Sequence, residues 1–260
     1  MPVVTVDGED LEYLGSGSGV PVTVFAHGLS GSIAETRPLG SGVDGTRVFF
    51  HFRGHGDSAA PPGPWSYDDV GGELLAIADH FGATRAVGAS MGAGAICNVL
   101  AKDPRRFERA VLFLPAVLDT IPADAPVHRL TALADAIDDG DVDGLTRLLV
   151  EDQPPPVRAM PAVHEYMRLR AEGLVGSAIS QAVRSIPLSV PVPDRSMLAA
   201  VEVPVLVVAQ EGDPVHLVSI ARELTDVLPN ATLHVFPEDG GIWLARDELR
   251  QVIATFLNAS

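Results

Sequence analysis

The sequence predicts an α/β chain: a doubly wound, mostly parallel sheet of eight strands, interrupted once by a helical insertion. Three observations point there. Short β-branched, apolar runs alternate with amphipathic stretches in both the first and last parts of the chain, a pattern that calls for crossover connections and a parallel sheet. Several runs are apolar at nearly every position, as in Pro21 to Ala26 and Val203 to Ala209, the mark of strands covered on both faces. Between these parts, residues 116–200 lose the alternation and become helical and proline-punctuated. The expected organisation is therefore a core of residues 1–115 and 201–260 with a helical cap over residues 116–200.

In chain order, Val3 to Val6 and Leu11 to Leu14 read as two strands around the Asp7-Gly8 turn, with Gly15 to Gly19 as a flexible connection. Pro21 to Ala26 is a buried strand ending in His27-Gly28-Leu29-Ser30-Gly31. Open α/β sheets place ligands at such carboxyl ends. With glycines flanking it, the Leu29 N–H could turn inward as a donor to a developing oxyanion. A glycine-rich helix start is the plainer reading of this loop taken alone. Thr46 to Phe52 is the next strand, and Arg53, His55 and Asp57 after it are expected to pin their loop rather than perform chemistry. Asp69 to Phe81 carries Val70, Leu74, Ile77 and Phe81 on one helical face.

Thr84 to Val87 then leads into Gly88-Ala89-Ser90-Met91-Gly92, a G-x-S-x-G sequence followed by the helical spacing of Ile96, Val99 and Leu100. A serine on a sharp strand-to-helix turn is held exposed, and it needs small neighbours because the backbone is crowded there. The helix start aims N–H groups at whatever lies over Ser90. Ser90 is the candidate nucleophile. Ala110 to Leu114 is the next strand. In the insertion, helices are expected around Leu130 to Ile137, Leu145 to Leu149 and Ala162 to Leu174, with an extended return through Pro187, Pro191 and Pro193. The alternation resumes with strand Val203 to Ala209, helix Leu217 to Leu228, strand Thr232 to Phe236 and helix Ala245 to Leu257.

Composition narrows the functions. There are 18 Lys and Arg against 34 Asp and Glu, a formal charge of −16, which repels nucleic acid and anionic lipid. No apolar run reaches the ~18 residues of a membrane span, and the N-terminus lacks an export pattern, so a cytoplasmic protein is expected. The single cysteine, Cys97, excludes an internal disulfide and reads as packing. No metal-ligand spacing and no dinucleotide fingerprint occur, so no metal or cofactor is expected. The expected partner is a small molecule; the sequence carries no sign of oligomeric state.

With the Ser90 elbow, the His27-Gly28 loop, the Arg53-Gly54-His55-Gly56 loop and Gly212-Asp213-Pro214-Val215 in this order, the chain resembles the α/β-hydrolase superfamily over its whole length except the insertion. The resemblance implies Ser90 as nucleophile, the N–H groups of Leu29 and Met91 as oxyanion hole, and Asp213 as the acid of a Ser–acid–His triad. It also implies a histidine in the loop after strand Thr232–Phe236. That loop reads Pro237-Glu238-Asp239-Gly240-Gly241-Ile242-Trp243, with Gly241 or Ile242 in the histidine's place and no histidine from 235 to 260.

A serine hydroxyl is a poor nucleophile without a base to take its proton, so three readings stand open. A displaced histidine could substitute: His216, His128, His164 or His234, each of which reads first as a surface or core residue. His27, His51, His55 and His80 read as structural. The fold could instead run cofactor-free lyase or isomerase chemistry, with Asp213, Glu238 or Asp239 as acid or base. Or it could be a catalytically silent small-molecule binder. The preferred reading is an esterase-type enzyme acting through Ser90 and its oxyanion hole on a small apolar ester, lactone or ketone-bearing metabolite, with its general base unassigned; the silent binder and the cofactor-free enzyme are the alternatives. The insertion would line an apolar pocket, while Arg129, Arg158, Arg168 and Arg170 read as solvated partners of nearby acids.

Overall fold

The computed structural model describes residues 1–121, 127–239 and 241–259, with Val127 described by its backbone alone. Gly240, in the loop where the family histidine is expected, and residues 122–126 of the expected insertion lie outside them. The chain opens with β1 (Val3–Val6), β2 (Glu9–Gly17) and β3 (Val22–Ala26), then α1 (Ile33–Thr36) and β4 (Thr46–Phe50). Next come α2 (Tyr67–Phe81), β5 (Arg85–Ala89), α3 (Met91–Lys102) and β6 (Arg109–Phe113). Between β6 and the next strand the regular elements are helical: α4 (Val127–Asp138), α5 (Val142–Glu151), α6 (Pro161–Leu174), α7 (Ile179–Ser185) and short 3-10 turns. The chain closes with β7 (Val205–Gln210), α8 (Val218–Val227), β8 (Ala231–Phe236), α9 (Gly241–Leu244) and α10 (Arg246–Asn258).

The eight strands form one sheet in the order β1-β2-β4-β3-β5-β6-β7-β8. β2 runs antiparallel to both β1 and β4, and every later pairing is parallel. The expected doubly wound sheet is thus the observed one. Burial explains the unbroken apolar runs: all six residues of β7 are buried, with α8 packed on one face and α10 on the other side of the sheet. The start of α2 is set by a capping box between Ser66 and Asp69, and its end by Gly82 in the left-handed conformation.

Two expectations fail locally. Gly15 to Gly17 is not a flexible connection: it belongs to β2, paired with Val48 to Thr46 of β4. A Gly-Ser-Gly stretch has no side-chain alternation to reveal a strand that main-chain hydrogen bonds maintain. The return from the insertion is not wholly extended either, because Pro187 lies in a 3-10 turn, Ile186–Leu188, and a second such turn spans Arg195–Ala200.

Candidate functional site

Ser90 stands at the junction of β5 and α3 with φ 49° and ψ −107°. This left-handed backbone is costly for a residue bearing a Cβ and is tolerated where the surroundings fix it. They do so here through the Ser90 N–H, which donates to Phe113 O at 2.9 Å, and Ser90 O, which accepts from Gly94 N–H at 3.1 Å. A Cβ at Gly88 would collide with the Gly92 carbonyl, and one at Gly92 with the Ala26 carbonyl. The glycines of G-x-S-x-G are therefore where two strands and a helix start come too close for side chains.

A histidine does stand beside Ser90, but it comes from the loop after β7 rather than from the one after β8. Asp213 Oδ1 accepts the N–H groups of Val215 and His216, both at 2.8 Å, closing a tight Asx-type turn over Pro214. The turn brings the His216 ring back over its own acid. His216 Nδ1 lies 3.1 Å from Asp213 Oδ2, and His216 Nε2 lies 3.0 Å from Ser90 Oγ. A carboxylate only accepts, so Nδ1 carries the proton and Nε2 offers its lone pair to the serine hydroxyl. Burial pushes the Asp213 carboxyl up, but the His216 imidazole and the two N–H groups outweigh it and hold it below the usual carboxylate range. The expectation that His216 is first a surface or core residue is corrected. Its sequence signal was the spacing itself, an Asp-Pro-x-His run in which the Asx turn returns the side chain at i+3 to the acid.

The other histidines are elsewhere. His128 and His164 are exposed on α4 and α6, and His234 sits 3.5 Å from Glu248. Glu238 and Asp239 are exposed. Where the family histidine was expected, the Gln210 side chain fills the space instead. Gln210 Oε1 accepts the Ile242 N–H at 2.9 Å, and a Cβ at Gly241 would lie 2.5 Å from the Gln210 amide. Ile242 packs into the core beside α10. Trp243 reaches the helical insert, donating from Nε1 to Gln153 Oε1 at 3.1 Å with its ring edge against Tyr166.

Opposite the elbow, Gly28 abuts Ser90: a Cβ on Gly28 would come within 3.2 Å of the Ser90 Cβ. The Gly28 carbonyl is held by His27 Nδ1 at 2.8 Å and by the Gly31 N–H at 2.9 Å. In a trans peptide the next N–H points the opposite way, so the Leu29 N–H is turned from this pair. Among the described residues, neither the Leu29 nor the Met91 N–H has a hydrogen-bond acceptor. Buried His27, His51 and His55 lie beneath this loop: the Phe52 N–H donates to His27 Nε2, the Ile33 N–H donates to His51 Nε2, and His51 Nδ1 donates to Glu12. Burial is the main force holding His27 well below the ordinary imidazole value and His55 down to about 4. Arg53 fixes the neighbouring loop by ion pairs with Asp69 and Glu73.

Of the expected lining residues, Met167, Leu174 and Trp65 are packed inside the molecule, and Leu169 is exposed. Leu130, Leu133, Leu148 and Met160 are half-buried against the core. Arg129 pairs with Asp152 and Glu151, and Arg168 with Glu165 and Glu172, as expected of partners to nearby acids. Arg170 also pairs with an acid, Glu35, but it is turned inward and donates to the Leu29–Ser30 backbone. Among the described residues, no three His, Cys, Asp or Glu side chains are placed to share a metal ion, and no helix is long and apolar enough to cross a membrane.

Comparison with known proteins agrees with this architecture. The model of the alpha/beta hydrolase family matches residues 23–252. The chain is 26% identical over 194 residues to 3-oxoadipate enol-lactonase 2 of Acinetobacter baylyi, covering 72% of this chain and 69% of that protein. Among solved structures it is similar to the enol-lactonase from Burkholderia xenovorans LB400, with a TM-score of 0.83, 21% identity, and 99% and 100% of the two chains covered. A meta-cleavage product hydrolase from Pseudomonas fluorescens IP01 gives a TM-score of 0.82 at 19% identity, covering 99% and 97%. At such identities the structural likeness speaks for the fold alone.

Proposed function

Since the chain belongs to the alpha/beta hydrolase family by its match over residues 23–252, we propose that it is a serine hydrolase whose triad is Ser90, His216 and Asp213, the histidine having moved to the loop that carries the acid. One observation carries this reading: the unbroken hydrogen-bonded chain from Ser90 Oγ through His216 to Asp213, at 3.0 and 3.1 Å. These are the contacts that general-base activation of a serine needs.

In the proposed reaction Ser90 Oγ attacks the carbonyl carbon of an ester or lactone while His216 Nε2 takes the hydroxyl proton. The negative charge that develops on the carbonyl oxygen is met by the Leu29 and Met91 N–H groups. As the tetrahedral intermediate collapses, the imidazolium returns that proton to the leaving alkoxide. An acyl-serine remains, with the alcohol either free or still tethered if the substrate was a lactone. Water, deprotonated by the same Nε2, then releases the acid and restores Ser90. Asp213 keeps the Nδ1–H tautomer and stabilises the imidazolium.

Residues 116–200 serve as a cap over this site, and small, uncharged or mildly polar esters and lactones are the proposed substrates. The enol-lactonases among the similar proteins favour the lactone arm. The silent-binder and cofactor-free readings drew their force from a missing base, and the placement of His216 beside Ser90 supports the hydrolase reading over both. The test is hydrolysis of short nitrophenyl esters and small lactones, with a fluorophosphonate probe alongside. Turnover and labelling should both occur and vanish in Ser90→Ala. A wild-type protein inert to esters, lactones and probe alike would sink the proposal.

A further inference from the structure

The Leu29 N–H shares its peptide plane with the Gly28 carbonyl, which His27 Nδ1 and the Gly31 N–H hold from the core side. Only the Gly28 carbonyl is held locally. The next two carbonyls are held from the helical insert, by one side chain. Arg170 on α6 donates from Nε to Ser30 O at 3.1 Å, and from Nη2 to Leu29 O at 3.2 Å and to Ser30 Oγ at 3.0 Å. No other donor to those two carbonyls is found among the described residues. Ser30 itself holds φ 54°, a left-handed backbone that a residue with a Cβ keeps only when its surroundings over-determine it.

The arginine is in turn braced. Its Nε lies 3.4 Å from Glu35 Oε1 on α1, and the Asp152 carboxylate feels its charge. A planar fork fixed by a carboxylate and spending its donors on two successive carbonyls clamps the peptide planes on either side of Ser30. Those planes follow directly after the one whose N–H is to face the substrate.

Resting on the serine-hydrolase reading above, we propose that Arg170 is a positioning residue: while His27 and Gly31 hold the Gly28 carbonyl, Arg170 clamps the Leu29 and Ser30 carbonyls from the insert and so fixes the far side of Leu29, and the Leu29 N–H is held firmly in its direction only when α6 is docked on the core. Arg170 does not touch the reacting atoms. Its contribution therefore belongs to the transition state, where donor direction counts, rather than to ground-state substrate binding.

The experiment compares wild type, Arg170→Ala and Arg170→Lys on the ester or lactone turned over best. Each is tested for thermal midpoint, kcat, KM and the inhibition constant of a trifluoromethyl ketone, which mimics the oxyanion. Arg170→Ala should lower kcat about 10- to 100-fold, in the range of an ångström-scale misplacement, with KM within about threefold and the ketone weakened in step with kcat. Arg170→Lys, a single point donor, should fall between, and added guanidinium at non-denaturing concentration should restore part of the alanine variant's kcat. Unchanged kcat and ketone affinity in a folded Arg170→Ala would overturn the proposal, as would a loss confined to KM. Should Arg170→Ala not fold, the lysine variant decides by the same two readouts. Absence of Ser90-dependent turnover in wild type would instead remove the hydrolase reading itself, and this inference with it.

Discussion

The loops that follow β7 and β8 leave the same edge of the sheet from neighbouring parallel strands, yet they carry opposite contents. After β8, where the superfamily resemblance implies the histidine, the chain offers Gly241 folded around the Gln210 amide and Ile242 turned into the core. After β7, four residues bring a carboxylate and an imidazole together, with Asp213 accepting two N–H groups and facing the His216 ring. In the proposed triad, reach rather than address selects the histidine. What the chemistry needs is an imidazole between a carboxylate and a serine oxygen, and a tight turn meets that need as well as a separate loop.

The sharpest way to break the comparison is to delete each base candidate. His216→Ala should cost up to about 10⁶ in kcat, as much as Ser90→Ala, and the double variant little more, because the two act as one unit. His128→Ala, His164→Ala and His234→Ala should leave the rate unchanged. Loss of activity in one of these three, with His216→Ala active, would return the base to another loop. Next in size, Asp213→Asn should lower kcat by about 10⁴ through the wrong imidazole tautomer, measured on the same esters. Third, adding back the histidine where the resemblance expects it should fail: Gly241→His in a His216→Ala background should restore no turnover. It should also lose about 1–3 kcal/mol of stability from overpacking against Gln210, read by urea unfolding. Recovery of activity would mean the β8 loop still reaches the serine.

A smaller effect concerns the histidines beneath the Leu29 loop. Folded His55 binds a proton only near pH 4, whereas an unfolded imidazole does so near its ordinary value of about 6.5. Between those values the unfolded chain binds more protons, so stability should be full above about pH 6.5 and fall as the pH drops toward 4. His27, held low by burial and by its neighbours His55, His51 and Arg170, acts in the same direction. Urea midpoints at pH 7.5, 6 and 5 should decline in that order, and His55→Gln should flatten the slope. Smallest of all, the buried Cys97 thiol, pushed up to about 12 by burial, should stay unreactive toward a thiol reagent until the protein unfolds.

Much of this was legible in the sequence because it is written locally. The strand–turn–helix pattern around Ser90 and the glycines at Gly88 and Gly92 encode a crowded bend within five residues, and the apolar runs encode the parallel sheet. Asp213 was singled out by the superfamily resemblance, which expects an acid after the Val203–Ala209 strand. What the sequence did not disclose depends on where chains return in space. The role of His216 rests on an Asx turn folding the ring back 126 residues from its serine in sequence. Arg170 looks like any surface arginine on an acidic helix until α6 is laid beside the loop 140 residues upstream. The strand character of Gly15 to Gly17 resides in its partner β4, not in its own side chains.

Seating proton donor and acceptor in a single four-residue turn has a mechanical result. Because no part of the proposed relay is borrowed from the stretch beyond β8, Trp243 can be tied to Gln153 and Tyr166 of the insert. Any tug on that tie as substrate enters or product leaves falls on a segment carrying none of the acid–base groups, while Asp213 and His216 travel together or not at all.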